Sequence, residues 1–533
     1  MNLYMNTIIH QIAKTMARTT SPLRALEGLG LALLLMVLPF LASSCSDDDK
    51  SSPATVLTIS QNGTVVNALN LSLGETTVML SVNTDGNWTA SVPEADTTWV
   101  HITPHAGYGW EVAKGDSANR MAFVKLKVDF NQSPARSSSI TFKAGGLEQI
   151  VAINQKGISG NDPIESVWSM VQKLRIGYNL GNTLESSHDT VTQSSWFHPK
   201  GPGDWRTWET CWGQPVTTPE IIQSIVSKGF NIIRVPVTWF PHIDGNWSES
   251  DNWSINEEWM SRVEEVVKMV TEAGAYCILN VMHDVGSHDP ARIDNQCWLT
   301  ADPDRYEANT KIYQKLWQQI ATRFRNYDDK LIFESFNEIL DKNYSWTAPA
   351  AGNDAYKVIN KLQQDFVNVV RSTGGNNEYR NLAITTYAST GNTDAPLKDL
   401  VLPQDTHENH IYLSIHSYDP YNFCSNNAGK NDDGTEYDYN IKVFNDDCKA
   451  EIDAVFARLK NRTYELGIPF IFGEFGAIDE GKEMAERVKY ATYLGSKFKE
   501  YNTTGLWWMG LLNRSAGTWY EDAIVSALFE AKK

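Results

Sequence analysis

The sequence predicts an α/β protein: a (β/α)8 barrel preceded by a small all-β, immunoglobulin-like sandwich. Three observations carry this. Between residues 164 and 533, eight short apolar runs alternate with amphipathic stretches, the rhythm of parallel strands joined by helices. Between 56 and 157 the runs are short and alternating, punctuated by Gly, Asn and Pro, as in a sandwich. The chain is also 533 residues long, more than one compact domain of ordinary size, so two folded units are expected.

Residues 1–45 read as a lipoprotein signal peptide, with Met16 as an alternative start. Arg18 and Arg24 precede an apolar run over 29–41 that is too short to span a bilayer but suits a secretory signal. Ala42-Ser-Ser-Cys45 resembles the box at which bacterial lipoproteins are cleaved and lipidated, which makes Cys45 the expected anchor. The box departs from the usual pattern in having Ala42, with Leu41 one place earlier, where Leu is expected. Ser46-Asp-Asp-Asp49 resembles the tag of lipoproteins sent to the outer face of a Gram-negative outer membrane. The alternative is a plain signal with an incidental Cys, and a periplasmic or secreted product. A linker is expected over 46–55.

Within 56–157, runs at 78–82, 123–128 and 149–155 supply the strands of the sandwich. Asn87-Trp88, Trp99-Val-His-Ile102, Asn131, Arg136-Ser-Ser-Ser-Ile-Thr141 and Gln155-Lys-Gly157 together resemble the BACON module. That resemblance implies carbohydrate binding, yet its Trp residues serve equally well as core, and a spacer role is the preferred reading.

A linker over 158–163 leads into the barrel. Its strands are expected at 175–180, 231–237, 276–281, 331–336, 382–386, 411–416, 470–474 and 505–509. Among the helices, Trp259, Val263, Val266, Val267 and Val270 fall on one face. Long aromatic-rich insertions at 185–217, 285–302 and 418–445 follow the first, third and sixth strands, and so rise from one barrel face, where they can wall a cleft.

The formal charge of −18 argues against a nucleic-acid partner, which is held by Lys and Arg. The 18 Trp and 21 Tyr suit flat platforms for an uncharged ligand such as a sugar. No Cys-x-x-Cys pair or zinc-like His/Cys spacing is present. Cys424 and Cys448 bracket one polar loop and form a candidate pair in an oxidising compartment.

The chemistry centres on Leu331-Ile-Phe-Glu-Ser-Phe-Asn-Glu-Ile339, an apolar run ending in Asn337 and Glu338. The carboxyl ends of barrel strands are where catalytic groups sit. A partner appears in Pro469-Phe-Ile-Phe-Gly-Glu-Phe-Gly476, where Gly473 and Gly476 flank Glu474. These glutamates end strands four and seven. Paired carboxylates across a cleft are what glycosidic cleavage needs, one protonating the leaving oxygen and the other attacking or supporting the anomeric carbon. Arg234, ending strand two, can keep a neighbouring carboxylate ionised. His416 and Tyr418 lie two apart, share a face, and can hold the two acids. Trp508 can floor the subsite for the cleaved sugar, whereas Trp507 has the opposite parity and belongs to the core.

Arg234, Asn337-Glu338, His416-x-Tyr418, Glu474 and Trp508, in that order, resemble glycoside hydrolase family 5. Gly177-Tyr-Asn-Leu-Gly-Asn-Thr-Leu-Glu185, Glu209-Thr-Cys-Trp-Gly213 and Gly229-Phe-Asn-Ile-Ile-Arg-Val-Pro-Val-Thr-Trp239 resemble its subfamily 4 of β-glucanases and xyloglucanases. The resemblance implies Glu338 as acid/base, Glu474 as nucleophile and retention of configuration, with no metal and no cofactor. It also implies substrate contacts from His242 and Asn182. The family's His-His at the end of strand three is replaced here by Asn280-Val-Met-His-Asp284, so that Met282 takes the first His position and His283 is the residue carried over.

The expected function is cleavage of a neutral plant polysaccharide by an endo-β-1,4-glucanase, with xyloglucan ranked ahead of unbranched and mixed-linkage glucan. The loop aromatics Trp196, Trp205, Trp212, Trp247, Trp253, Trp298 and Trp346 suggest a wide cleft. Rival readings are a non-catalytic glycan-capturing lipoprotein and a structural surface protein whose aromatics are all core.

Overall fold

A computed structural model describes residues 54–71, 73–107, 123–131, 133–157, 163–187, 204–244, 253–287, 296–430, 435–508 and 510–533. The expected signal segment, its Cys45, and nearly all of both linkers lie outside these residues, as do Trp196 and Trp247.

The front unit is a sandwich of two five-stranded sheets. One is built from Thr64–Val65, Leu57–Gln61, Thr76–Thr84, Phe123–Val128 and Val100–Thr103, and the other from Ala68–Leu71, Leu147–Gln155, Arg136–Ala144, Trp88–Ser91 and Ala106–Gly107. Pairing is antiparallel except where Ala68–Leu71 joins Leu147–Gln155 in parallel. Alternate residues turn inward, so Leu80, Leu126, Ile140, Phe142, Val151 and Ile153 fill the space between the sheets. Of the two motif tryptophans, Trp88 is internal and Trp99 is half-buried. Trp88 is 2% exposed, and Trp99 lies under the Arg136 guanidinium at 4.0 Å.

The sandwich and the barrel share apolar surface. Phe130 packs on Trp168 and stacks on Tyr464, with ring centroids 4.6 and 5.7 Å apart. Gly74 sits so close to the barrel that a Cβ there would lie 2.3 Å from the Tyr464 carbonyl oxygen.

The barrel closes through eight parallel strands in chain order. They are β1 (Gly177–Asn179), β2 (Ile232–Val235), β3 (Tyr276–Leu279), β4 (Leu331–Glu334), β5 (Leu382–Ile384), β6 (Ile411–Ser417), β7 (Phe470–Phe475) and β8 (Gly505–Trp508). All eight expected strands are present, most of them shorter than the apolar runs that announced them. Helix α1 (Glu257–Glu272), between β2 and β3, buries Trp259, Val263, Val266, Val267 and Val270 as its spacing requires, and Asn256 caps it by accepting from Glu258 N and Trp259 N.

Inside the barrel, residues two apart face the same way and form layers. The lower layer is apolar: Ile232, Ile278, Ile332, Ala383, Tyr412, Ile471 and Leu506 pack on the short helix Val167–Lys173, which plugs the amino-terminal end. One step up the strands the layer turns polar, with Asn179, Arg234, Glu334 and Ser414, all fully or almost fully buried. Trp507 is core, as expected from its parity, with its ring 5.3 Å from that of Phe475. The expected bridge between Cys424 and Cys448 is not formed; both are buried free thiols, and the Cys424 Sγ points to the Asp419 carbonyl at 3.6 Å.

Candidate active site

Arg234 is the centre of the polar layer. Its side chain has no exposed surface, and its guanidinium donates to four acceptors: Glu334 Oε2 (2.5 Å), Asn179 Oδ1 (3.1 Å), Glu474 Oε1 (2.8 Å) and Asn337 Oδ1 (2.8 Å). Burial opposes the charge, but Glu334 and Glu474 outweigh it and hold the guanidinium protonated. The bonds fix the carboxylate and the amide relative to each other. With its oxygen committed to Arg234, Asn337 presents its NH2 to the cleft.

Glu474 reaches this position through an irregularity in β7. Alternation from Ile471 would point Gly473 into the barrel and Glu474 away from it. The ladder slips instead: Ile415 pairs with Phe472, but His416 pairs with Glu474, so Gly473 is skipped. Such a bulge re-aims a side chain next to a site. Glycine is needed here, because a Cβ would lie 2.5 Å from Ser414 Oγ and 3.3 Å from His416 Nε2.

The two acids meet over β6. Tyr418 Oη donates to Glu474 Oε2 at 2.9 Å, and burial together with the Glu474 charge keeps the phenol protonated far above its ordinary range. His416 Nδ1 lies 2.8 Å from Glu338 Oε1 and 3.6 Å from Glu474 Oε1. Burial disfavours the imidazolium, yet the charges of Glu474 and Glu338 win and raise the histidine pKa. One oxygen of Glu338 and one of Glu474 come within 4.8 Å of each other, with His416 between them. The environments differ: the Glu474 side chain is 6% exposed and that of Glu338 22%, so only the latter faces solvent appreciably.

Of the other expected residues, Trp508 ends β8 opposite Asn179 and is partly exposed, with its ring against Gly181. Asn182 is in the next turn, at a φ of 59°. Met282 is buried, with its sulfur 3.7 Å from Asn280 Nδ2, while His283 is half-buried with its ring 5.4 Å from that of Trp212. His242 packs differently from expectation. It stacks on Trp259 at 3.6 Å and meets Trp208 edge-on at 4.9 Å, which makes it part of the wall between loop and helix. Among the loop aromatics, Trp253 and Trp298 are buried against each other, Trp205 lies under Arg206 and Arg262, and Trp346 stands out at 57% exposure.

Three functional neighbours were missed from the sequence: Asn179, Glu334 and Ser414. Ser414 Oγ donates to Glu334 Oε1 at 2.8 Å, and Asn179 Nδ2 donates to the Gly473 carbonyl at 2.9 Å, bracing the bulge. Glu334 had a signal, since a charge in the middle of a strand buried on both faces must have a partner.

Comparison with known proteins gives a coherent picture. The model for cellulase (glycosyl hydrolase family 5) matches residues 194–511. Endoglucanase A of Ruminococcus albus is 31% identical over 380 residues, covering 69% of this chain and 93% of its own. Cellulase/esterase CelE of Acetivibrio thermocellus is 33% identical over 400 residues, which cover 73% of this chain but only 43% of that protein. A crystal structure of the family 5 enzyme PbGH5A from Prevotella bryantii, solved with a xyloglucan tetradecasaccharide, is 32% identical with a TM-score of 0.58, covering 69% of this chain and 99% of its own.

Proposed function

Because the chain belongs to glycosyl hydrolase family 5, as a glycoside hydrolase of the cellulase type, we propose that it is an endo-β-1,4-glucanase acting with retention, with xyloglucan ranked first among its substrates. The observation that carries this reading is the approach of Glu338 and Glu474 to within 4.8 Å. A retaining pair stands about 5–5.5 Å apart, whereas an inverting pair needs about 6.5–9.5 Å to admit a water.

In the first step Glu338 gives its proton to the glycosidic oxygen as the bond from that oxygen to C1 breaks, and Glu474 forms a bond to C1 from the opposite face. Arg234 and Tyr418 hold Glu474 by both oxygens and so orient it for attack. In the second step Glu338 takes a proton from water, the water oxygen bonds to C1, and the Glu474 carboxylate leaves. Asn337 supplies an N–H to the sugar and Trp508 an apolar floor. Both steps are complete with side chains of this chain.

Xyloglucan is favoured because the Prevotella relative was crystallised with a xyloglucan oligosaccharide and because Trp346 and the half-buried Trp212 offer ring faces on the loops around the strand ends. Reducing-end assays on xyloglucan, unbranched β-glucan, mixed-linkage glucan and mannan test the ranking, and activity on mannan alone would defeat it.

We also propose attachment to the outer membrane through a lipid on Cys45. Labelling with a radioactive fatty acid, lost in C45A, tests this. Among the described residues no helix is long and apolar enough to cross a membrane. The burial of Trp88 in the sandwich core and the Arg136 guanidinium covering the half-buried Trp99 support a spacer role for the sandwich.

A further inference from the structure

We infer that Glu185 is a positioning residue for Trp508, its carboxylate bracing from behind the turn on which the indole rests; this rests on the glucanase reading above.

Glu185 has no exposed surface. One carboxylate oxygen accepts from the backbone N–H of Asn182, and the other accepts from Thr183 N at 3.0 Å. These bonds close a tight loop in which Asn182 is left-handed. Gly181 adjoins both the carboxylate and the indole. A Cβ on Gly181 would sit 3.1 Å from Cζ2 and Cη2 of Trp508 and 3.4 Å from Glu185 Oε1. The turn closed by the carboxylate is thus the one that backs the indole, with no space for a side chain at Gly181, and a shift of the turn is passed to the ring.

The same residue ties the neighbouring loops. Its carbonyl accepts from Thr238 Oγ1 at 2.9 Å, Thr238 N donates to the Leu184 carbonyl, and Thr238 Oγ1 accepts from His283 N at 3.3 Å. The segments after β1, β2 and β3 thus meet at one point behind the sugar floor.

Stability alone does not account for an acid at this place. Burial pushes the Glu185 carboxyl up to about 7 against the pull of the backbone N–H groups and of Arg514. A buried carboxyl that must ionise near neutrality is costly, and such groups concentrate where a site needs them.

The test is a double-mutant cycle between Glu185→Gln and Trp508→Ala, read as kcat/KM on cellotetraose, as its affinity by calorimetry, and as melting temperature. Glutamine puts an NH2 where one N–H must be accepted. E185Q is expected to lower kcat/KM by roughly 10- to 100-fold, the scale of a small misplacement of a binding group. In a chain already carrying W508A it should cost little further. Losses that multiply, or wild-type kinetics in E185Q, overturn the inference. Gly181→Ala leaves the carboxylate chemically intact while its methyl presses on the indole and meets Glu185 Oε1, and it should reproduce both the loss and the lack of additivity even where E185Q folds poorly. A wild-type chain that binds cellotetraose without cleaving it sinks the glucanase reading alone, since the affinity cycle still reports the coupling. A chain that does neither sinks both.

Discussion

Arg234 donates to Glu474 across 2.8 Å from a position with no exposed surface, and the same guanidinium also neutralises Glu334. Two buried carboxylates thus depend on one cation. Arg234→Met removes that cation and leaves Glu334 with the Ser414 hydroxyl and Glu474 with Tyr418 and the nearby His416, which is expected to cost about 3–5 kcal/mol of stability. Adding Glu334→Gln should return part of the loss, because one uncompensated charge goes with it. Chemical denaturation of wild type, R234M and R234M/E334Q checks the order. A double variant no more stable than the single one would mean that Glu334 does not depend on Arg234.

The roles of the two glutamates are separable by the product formed with azide. In Glu338→Ala the first step is slowed by the missing proton, roughly 10²–10⁴-fold on natural glucan. With an activated leaving group the covalent intermediate still forms, and azide then attacks it to give a β-glycosyl azide. In Glu474→Ala there is no nucleophile, and azide enters from its side to give the α-glycosyl azide. NMR of the products distinguishes them. Exchanged outcomes would reverse the assignment.

The eight strands were legible because buried parallel strands are apolar runs and their polar ends stand at the site. What lay deeper was not. The alternation that predicts Arg234 inward predicts Glu474 outward; only the slipped register between Ile415/Phe472 and His416/Glu474 turns it in, and Gly473 was the one trace of that bulge in the sequence. Which of the loop aromatics face a cleft and which are core was not legible for a related reason. Trp253 and Trp298 stand in loops, yet a tryptophan there carries no mark of which way it faces, and Asp284 holds the Trp298 indole N–H inward at 2.7 Å. His242 was carried over by position in a motif, but two tryptophans enclose it. The sequence separation of Cys424 and Cys448 suggested a bridge that the burial of each as a separate thiol does not need.

Asp284 predicts a pH slope in stability. It accepts from Trp239 N at 2.8 Å and from the Trp298 indole, both of which favour the anion, yet burial outweighs them and lifts its carboxyl to about 6 from the ordinary 3.8. An acid that holds its proton more tightly when folded contributes stability that is complete below pH 3.8 and is lost as pH rises to about 6. The loss amounts to about 3 kcal/mol. Asp284→Asn cannot titrate, so its melting temperature should fall less than that of wild type between pH 4 and 6, whatever its absolute level. Parallel curves would show that Asp284 ionises in the fold as it does in water.

Gly473 predicts a steric rescue. A Cβ at this bulge would lie 2.5 Å from Ser414 Oγ, below any normal contact, and 3.3 Å from His416 Nε2. Gly473→Ala must therefore push β7 from β6 and carry Glu474 out of reach of Tyr418 or Arg234. A displacement of that size is expected to lower kcat by roughly 10²-fold with little change in KM, since the loss falls on attack rather than on binding. Ser414→Ala removes the nearer obstacle but also a donor to Glu334, so alone it should cost a small factor. Combined with G473A it should restore part of the lost rate, because the new methyl can take the space vacated by the hydroxyl. The histidine contact keeps the recovery below wild type. If S414A deepens the defect of G473A instead, the glycine serves the backbone conformation of the bulge and not the room beside Ser414.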